Sequence, residues 1–201
     1  MILTKDRIKD LIEKEMEAIR RIPVDGAILE AVDIIHRQVH ERHGKVVVTG
    51  MGKAGQIGDN IATTLSSTGT PAIFIHPAEA QHGDLGVLQS NDVVLAISNS
   101  GKTREVVEFE YLARRLYPGL KLIVLTGNNQ SELCEKADVV LHTGGPEEIC
   151  PLGLTPTTST TVMTVAGDVL VVLLMELIGF TKEQYALRHH SGYLGQKAKE
   201  L

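Results

Sequence analysis

Five short β-branched runs separated by helical segments constrain this 201-residue chain more than any other feature. The runs cover residues 46–49, 72–76, 93–97, 122–125 and 139–141, and helical patterns fall between them at 55–67, 103–117 and 131–137. Strands alternating with helices build a parallel sheet covered on both faces, so the expected architecture is a three-layer α/β/α sandwich around a five-stranded parallel sheet. Strand order 2-1-3-4-5 is the simplest topology, and order 3-2-1-4-5 competes with it. In either order ligands belong at the carboxyl ends of the strands, where the order reverses. The loops after the first and third runs are therefore the places to search.

Two helices precede the sheet. Ile8, Leu11, Ile12, Met16 and Ile19 recur at helical spacing, and after the break at Ile22-Pro23-Val24-Asp25 so do Ile28, Val32, Ile35 and Val39. The chain is expected to be one domain, residues 1–201, with a helical segment over 1–42 and an α/β core over 43–201. Behind the fifth run, a Pro/Gly-rich loop at 144–156 leads into a long apolar stretch at 161–180, then a short helix near 181–187. That stretch approaches the length of a membrane span, but Asp168 and Glu176 lie within it. Each would cost about 3 kcal/mol near a bilayer centre, so a buried helix is expected and no membrane partner. The N-terminus is charged throughout and carries no apolar signal core. Cys134 and Cys150 fit neither a metal spacing nor a disulfide framework, which suits reduced thiols in the cytoplasm.

Aromatic residues make up only 3%, Trp is absent and the net charge is −5. A nucleic-acid surface needs exposed rings and a basic field, so none is expected. Any phosphate must be gripped by local donors.

After the first run the chain reads Gly50-Met51-Gly52-Lys53-Ala54-Gly55, which formally satisfies the dinucleotide fingerprint. A Rossmann site wants an acid closing the second strand to hold a ribose, yet that run ends in His76-Pro77. The alternative sets a small ligand against this turn, touching Gly52, with Lys53 projecting into the site. After the third run comes Ser98-Asn99-Ser100-Gly101-Lys102-Thr103, at the start of a helix. Hydroxyls and an amide backed by the N–H groups of a helix N-terminus make a phosphate cradle. One serine would suffice for a plain cap. A third helix start, with Thr157 and Ser159, is read as contributory, since capping alone accounts for it.

At these residues the chain resembles the sugar isomerase (SIS) domain family, specifically its arabinose 5-phosphate isomerases. The segments are VVVTGMGKAGQIG, SSTGTPAIFIHPAEAQHGDLG, DVVLAISNSGKTREV, EEICPLGLTPTTSTT and ALRHHSGYLG, in matching order from Lys45 to Lys197. The resemblance implies a flavodoxin-like fold and interconversion of ribulose 5-phosphate and arabinose 5-phosphate, feeding 3-deoxy-octulosonate synthesis for surface polysaccharide. It implies a homotetramer with active sites completed across subunits and no required cofactor. It puts Lys53, Glu105, Glu148 and His189 in the catalytic group, Gly69, Thr70, His76 and His82 at the sugar, and the loop from Ser98 to Thr103 at the phosphate. His76 also matches a position that takes an inhibitory zinc ion. The chain departs from the family at Lys102 and Arg104, where acidic or small polar residues are common, and at His190-Ser191-Gly192, where Pro-Gly-Gly is usual. Longer members carry CBS domains after this domain, and this chain is expected to be the form without them. Feedback by 3-deoxy-octulosonate or its nucleotide-activated form is then expected to act on the domain itself.

Such an isomerisation moves one proton between adjacent carbons through a cis-enediolate. Glu148 or Glu105 is the candidate carbon base, its carboxyl expected to be shifted upward in a closed site. Lys53 would stabilise the enediolate, and His189 would shuttle protons among the sugar oxygens. Taken singly each has a plain alternative; Glu105, for one, lies where a helix dipole favours any acid. Two other classes stay open: a non-catalytic phosphosugar-binding module, and a nicotinamide oxidoreductase suggested by the glycine fingerprint.

Overall fold

The computed structural model describes residues 4–191 together with residues 193, 195 and 197. Gly192 of the departure after His189 lies outside them. Helix α1 (Lys5–Arg20) starts at Thr4, whose hydroxyl accepts from the Arg7 amide. Helix α2 (Ala27–Ile35) runs on into a π-helical turn over His36–Glu41. Five strands then alternate with helices: β1 (Val46–Gly50), α3 (Gly52–Ser67), β2 (Ala72–Phe74), the short α4 (Pro77–Ala80), β3 (Val93–Ile97), α5 (Arg104–Leu116), β4 (Lys121–Thr126), the short α6 (Glu132–Glu135) and β5 (Val139–His142). After β5 come α7 (Thr158–Leu177) and α8 (Lys182–Ala186).

Every strand pair is parallel and the order is β2-β1-β3-β4-β5. This is the first of the two expected topologies. Side chains alternate across a strand, and both faces here are apolar because both are covered. Val46, Val48, Leu95, Ile97, Ile123 and Leu125 face α2, α3 and α7, whereas Val47, Val94, Ala96, Leu122 and Val124 face α4, α5 and α6. Buried Asp92 fixes the register where β1 meets β3. One of its oxygens accepts from the Lys45 amide at 2.9 Å, and the other meets the Lys45 ammonium at 2.7 Å.

Among the described residues, α7 is the one helix long and apolar enough to cross a membrane. In the fold it is a core helix: Val162, Met163, Ala166, Leu170, Val171 and Leu174 are buried, and Asp168 and Glu176 point outward. The helical spacing in α1 is confirmed, but this chain covers its stripe only in part: Leu11 and Ile19 are half-buried, the rest is not. Ile8, Ile12 and Met16 are 60%, 54% and 38% exposed, and Ala18 alone in α1 is buried.

Candidate functional site

In a parallel sheet every strand-to-helix loop leaves from the carboxyl edge and every helix-to-strand loop returns to the amino edge. The loops after β1 and β3 lie side by side at the carboxyl edge, at the point where the strand order reverses.

The loop after β3 is built to present donors. Ser98 is buried, and its hydroxyl pairs with that of Thr103 at 2.8 Å. The Gly101 amide donates to the Ser98 hydroxyl at 3.1 Å, and the Lys102 amide to the Ser100 hydroxyl at 3.2 Å. From behind, Asn128 Nδ2 donates to the Ser100 carbonyl and the Gly127 amide to the Asn99 carbonyl. Thr103 is the N-cap of α5 but makes no capping bond, because its hydroxyl is engaged with Ser98. The Val106 amide donates to the Thr103 carbonyl, whereas the Arg104 and Glu105 amides of this 13-residue helix stay open to an anion, with the positive end of the dipole behind them. Exposed Asn99 and Ser100 flank the opening, and half-buried Glu105 sits in that first turn.

The loop after β1 turns through Gly52 at φ +60, and exposed Lys53 projects from the start of α3. The other two glycines of the fingerprint serve packing. A Cβ on Gly55 would stand 2.5 Å from the Gly50 carbonyl oxygen. No acid ends β2; Ile75 and His76 follow it, and His76 is the exposed N-cap of α4. The dinucleotide reading thus keeps its glycines and lacks its ribose clamp. His82 is exposed just beyond α4.

Glu148 belongs to a different kind of arrangement. Its Oε2 accepts from the Thr157 amide at 2.7 Å, the Thr157 hydroxyl at 3.0 Å and the Ser159 amide at 3.3 Å. Glu148 therefore caps α7, so Thr157 and Ser159 already hold an anion that the protein itself supplies. The expected upward shift of this carboxyl is not what the structure gives. Burial raises its pKa, but the donors of Ser159 and Thr157 outweigh burial and hold it below the usual value. A group depressed in the folded state adds stability above its unfolded pKa, and that stability is lost as pH falls through the folded one. Glu148→Gln is accordingly expected to lower stability by about 1 kcal/mol at neutral pH, in the range of a lost helix cap. Urea midpoints of the variant and the parent should converge as the medium is acidified below the folded pKa.

Gly69, Thr70 and His189 lie elsewhere. Gly69 and Thr70 follow α3, and the Pro71 carbonyl accepts from the Val46 amide at the start of β1. They sit at the amino edge, the length of a strand from the open α5 amides. Thr70 is buried, with its hydroxyl 3.1 Å from His40 Nε2. His189 comes after α7 and α8, stacked on Tyr185 with ring centroids 3.7 Å apart. The neighbouring Arg188 lies over the Phe180 ring, and a Cβ on Gly69 would stand 2.8 Å from that ring. His189 therefore shares the amino edge with Gly69 and Thr70, while Glu148 lies at the far end of α7, a helix about 30 Å long. Lys53, His76, His82, Glu105, Glu148 and the Ser98–Thr103 loop share the carboxyl edge.

Zinc normally takes four protein or water ligands. Among the described residues no three His, Cys, Asp or Glu side chains gather as a metal site. His76 thus has no co-ligands among the described residues of one chain.

The fold and these loops have close counterparts. A Bacteroides fragilis protein, described as a candidate phosphosugar isomerase involved in capsule formation, superposes with a TM-score of 0.92 at 59% identity, covering 94% of this chain and 98% of that one. An E. coli CFT073 protein, c3406, solved in complex with arabinose 5-phosphate, superposes with a TM-score of 0.84 at 33% identity, covering 93% of this chain and 100% of that one. The arabinose 5-phosphate isomerase KdsD of Pseudomonas aeruginosa is 53% identical over 154 residues, 77% of this chain and 47% of its own length. The chain spans about half the length of the curated relatives it matches. Residues 39–173 match the SIS domain. With that match over most of the α/β core, and with the open phosphate-type helix start at its sheet edge, the chain belongs to the SIS domain family.

Proposed function

We propose that this chain is an aldose–ketose isomerase that interconverts ribulose 5-phosphate and arabinose 5-phosphate in the cytoplasm, supplying 3-deoxy-octulosonate synthesis for surface polysaccharide. The observation that carries the reading is the uncapped α5 N-terminus. Its open Arg104 and Glu105 amides and the polar loop from Ser98 to Thr103 lie together beside a turn that presents Lys53, which supports a grip on one small dianion. The relatives' names agree with that chemistry.

With the phosphate held at α5, the open-chain sugar lies along the carboxyl edge towards Lys53. Glu105 or Glu148 removes the proton from carbon 1 of the ketose, and the same carboxyl returns it to carbon 2. The Lys53 ammonium stabilises the enediolate between these two transfers. His189 moves the remaining proton between the two oxygens. Residues of the chain supply every role, and the scheme requires no cofactor.

His189, Gly69 and Thr70 reach such a sugar only if a second copy presents its amino edge to this carboxyl edge. The division of the group between two edges therefore supports an assembly with shared sites, a homotetramer in this reading. The exposed apolar stripe of α1 supplies surface for subunit contact. Acidic sugars such as 3-deoxy-octulosonate would compete for the same open amides, a route for feedback.

The decisive assay compares ribulose 5-phosphate with fructose 6-phosphate and follows solvent deuterium entering the sugar. Turnover of the pentose with exchange at carbon 1 is expected; binding of both without turnover or exchange would leave only a phosphosugar-binding module. Of Glu105→Gln and Glu148→Gln, one is expected to lose turnover while retaining binding. Near-normal turnover in both would remove the carboxylates from the mechanism.

A further inference from the structure

We propose that Glu15, on the N-terminal helix α1, is a positioning residue for Glu148, acting through Thr158 to hold the loop that carries it on the end of α7. The proposal rests on Glu148 belonging to the site.

Glu15 Oε1 accepts from the Thr158 hydroxyl at 2.9 Å, across 143 residues of sequence. The same hydroxyl accepts from the Ile149 amide at 3.2 Å. A hydroxyl has one proton, so committing it to Glu15 turns the oxygen lone pairs towards Ile149. Ile149 is the residue after Glu148, and Thr158 lies between Thr157 and Ser159, the two residues that donate to Glu148. Without Glu15 the hydroxyl proton has no fixed acceptor, so the lone pairs are no longer held towards Ile149 and the tie on the loop beside Glu148 is weakened.

Glu15 Oε2 is buried with no partner among the described residues. A buried carboxylate oxygen left unsatisfied is costly, so mere attachment of α1 is a poor account of it. The N-terminus of α7 lowers that cost for both acids through its dipole. The other charged groups facing Glu148 are Lys14, Glu17 and Arg21 on α1 and Glu147 on its own loop, around a cavity of about 540 Å³; α7 brings no charge in its first turn.

The test uses the full chain, with carbon-13 labelled glutamate and the Glu148 carboxyl signal identified by its loss in Glu148→Gln. Two explanations predict opposite shifts. If Glu15 acts only as a nearby negative charge, Glu15→Ala lowers the Glu148 titration midpoint. If it positions the cap, Glu15→Ala frees the carboxylate from its donors and the midpoint rises towards the ordinary value. We expect the rise, with kcat reduced about tenfold and KM within about twofold, as for a small misplacement of a reacting group. Glu15→Gln keeps an acceptor for Thr158 and is expected to restore kcat and leave no upward shift. Should Glu15→Ala not fold, Thr158→Val removes the same link at constant size and is expected to raise the midpoint too. An unmoved or lowered midpoint in the folded variant overturns the proposal. The titration needs no turnover, so it reads out even if the isomerase assignment fails.

Discussion

Mixing a Lys53→Ala chain with a His189→Ala chain, after unfolding and refolding together, is expected to recover activity that neither variant has alone. In one chain Lys53 stands at the carboxyl edge of the sheet and His189 packs beside the amino edge. If each site takes its lysine from one subunit and its histidine from another, a mixed pair holds one doubly damaged site and one intact site. Random pairing in equal amounts then leaves about a quarter of the parental sites whole, by the symmetry of a two-fold interface. Each variant alone is expected to lose at least about a hundredfold in kcat, the size of a general acid–base contribution. No recovery in refolded mixtures of the same oligomeric size as the parent would confine the site to one chain, and would remove His189 from it.

Gly101→Ala is expected to cost about 2–5 kcal/mol of stability, the sum of a left-handed alanine and an overpacked contact. Gly101 sits at φ +62, and a Cβ there would stand 2.0 Å from Ser131 Oγ and 2.5 Å from Ser131 Cβ. Ser131 is buried and cannot swing into solvent. The amide of Gly101 also donates to Ser98, so displacing it opens the cradle. Urea unfolding gives the stability loss, and calorimetry with arabinose 5-phosphate should show affinity reduced by at least about tenfold. Adding Ser131→Gly removes the clash and leaves the backbone strain, so it should return part of the stability. A Gly101→Ala protein as stable as the parent, with affinity intact, would show that this loop neither needs its geometry nor grips the phosphate.

The sheet was legible because its three central strands are buried on both faces. Runs such as Val46-Val47-Val48 and Val93-Val94-Leu95 have no polar alternation to confuse with a helix, and turns bound them. The element ends were less legible. The helix after β1 begins at Gly52, three residues before the periodic apolar pattern, because a positive φ lets the chain turn into it at once. The amphipathic stripe of α1 was equally plain, but periodicity reports a face that wants cover and not what covers it; Ile8 and Ile12 face outward.

For the site, composition and motif determined the chemistry: hydroxyls, an amide and a glycine before a helix fit an anion wherever that helix lies. Which of the candidate residues meet was a tertiary matter. Motif order along the chain carries no sign of sheet edge, so Thr70 and Ser98 read as equals although one follows a helix and the other a strand. Glu148 shows the same limit from another side. Beside Glu147 in a loop it reads as a solvated acid, or as a base with a raised pKa. Only the approach of Thr157 and Ser159, nine and eleven residues on, turns it into a helix cap with a lowered one. Local sequence fixes which groups a segment can offer, whereas a pKa and a shared site depend on what long-range packing places within about 3 Å of them.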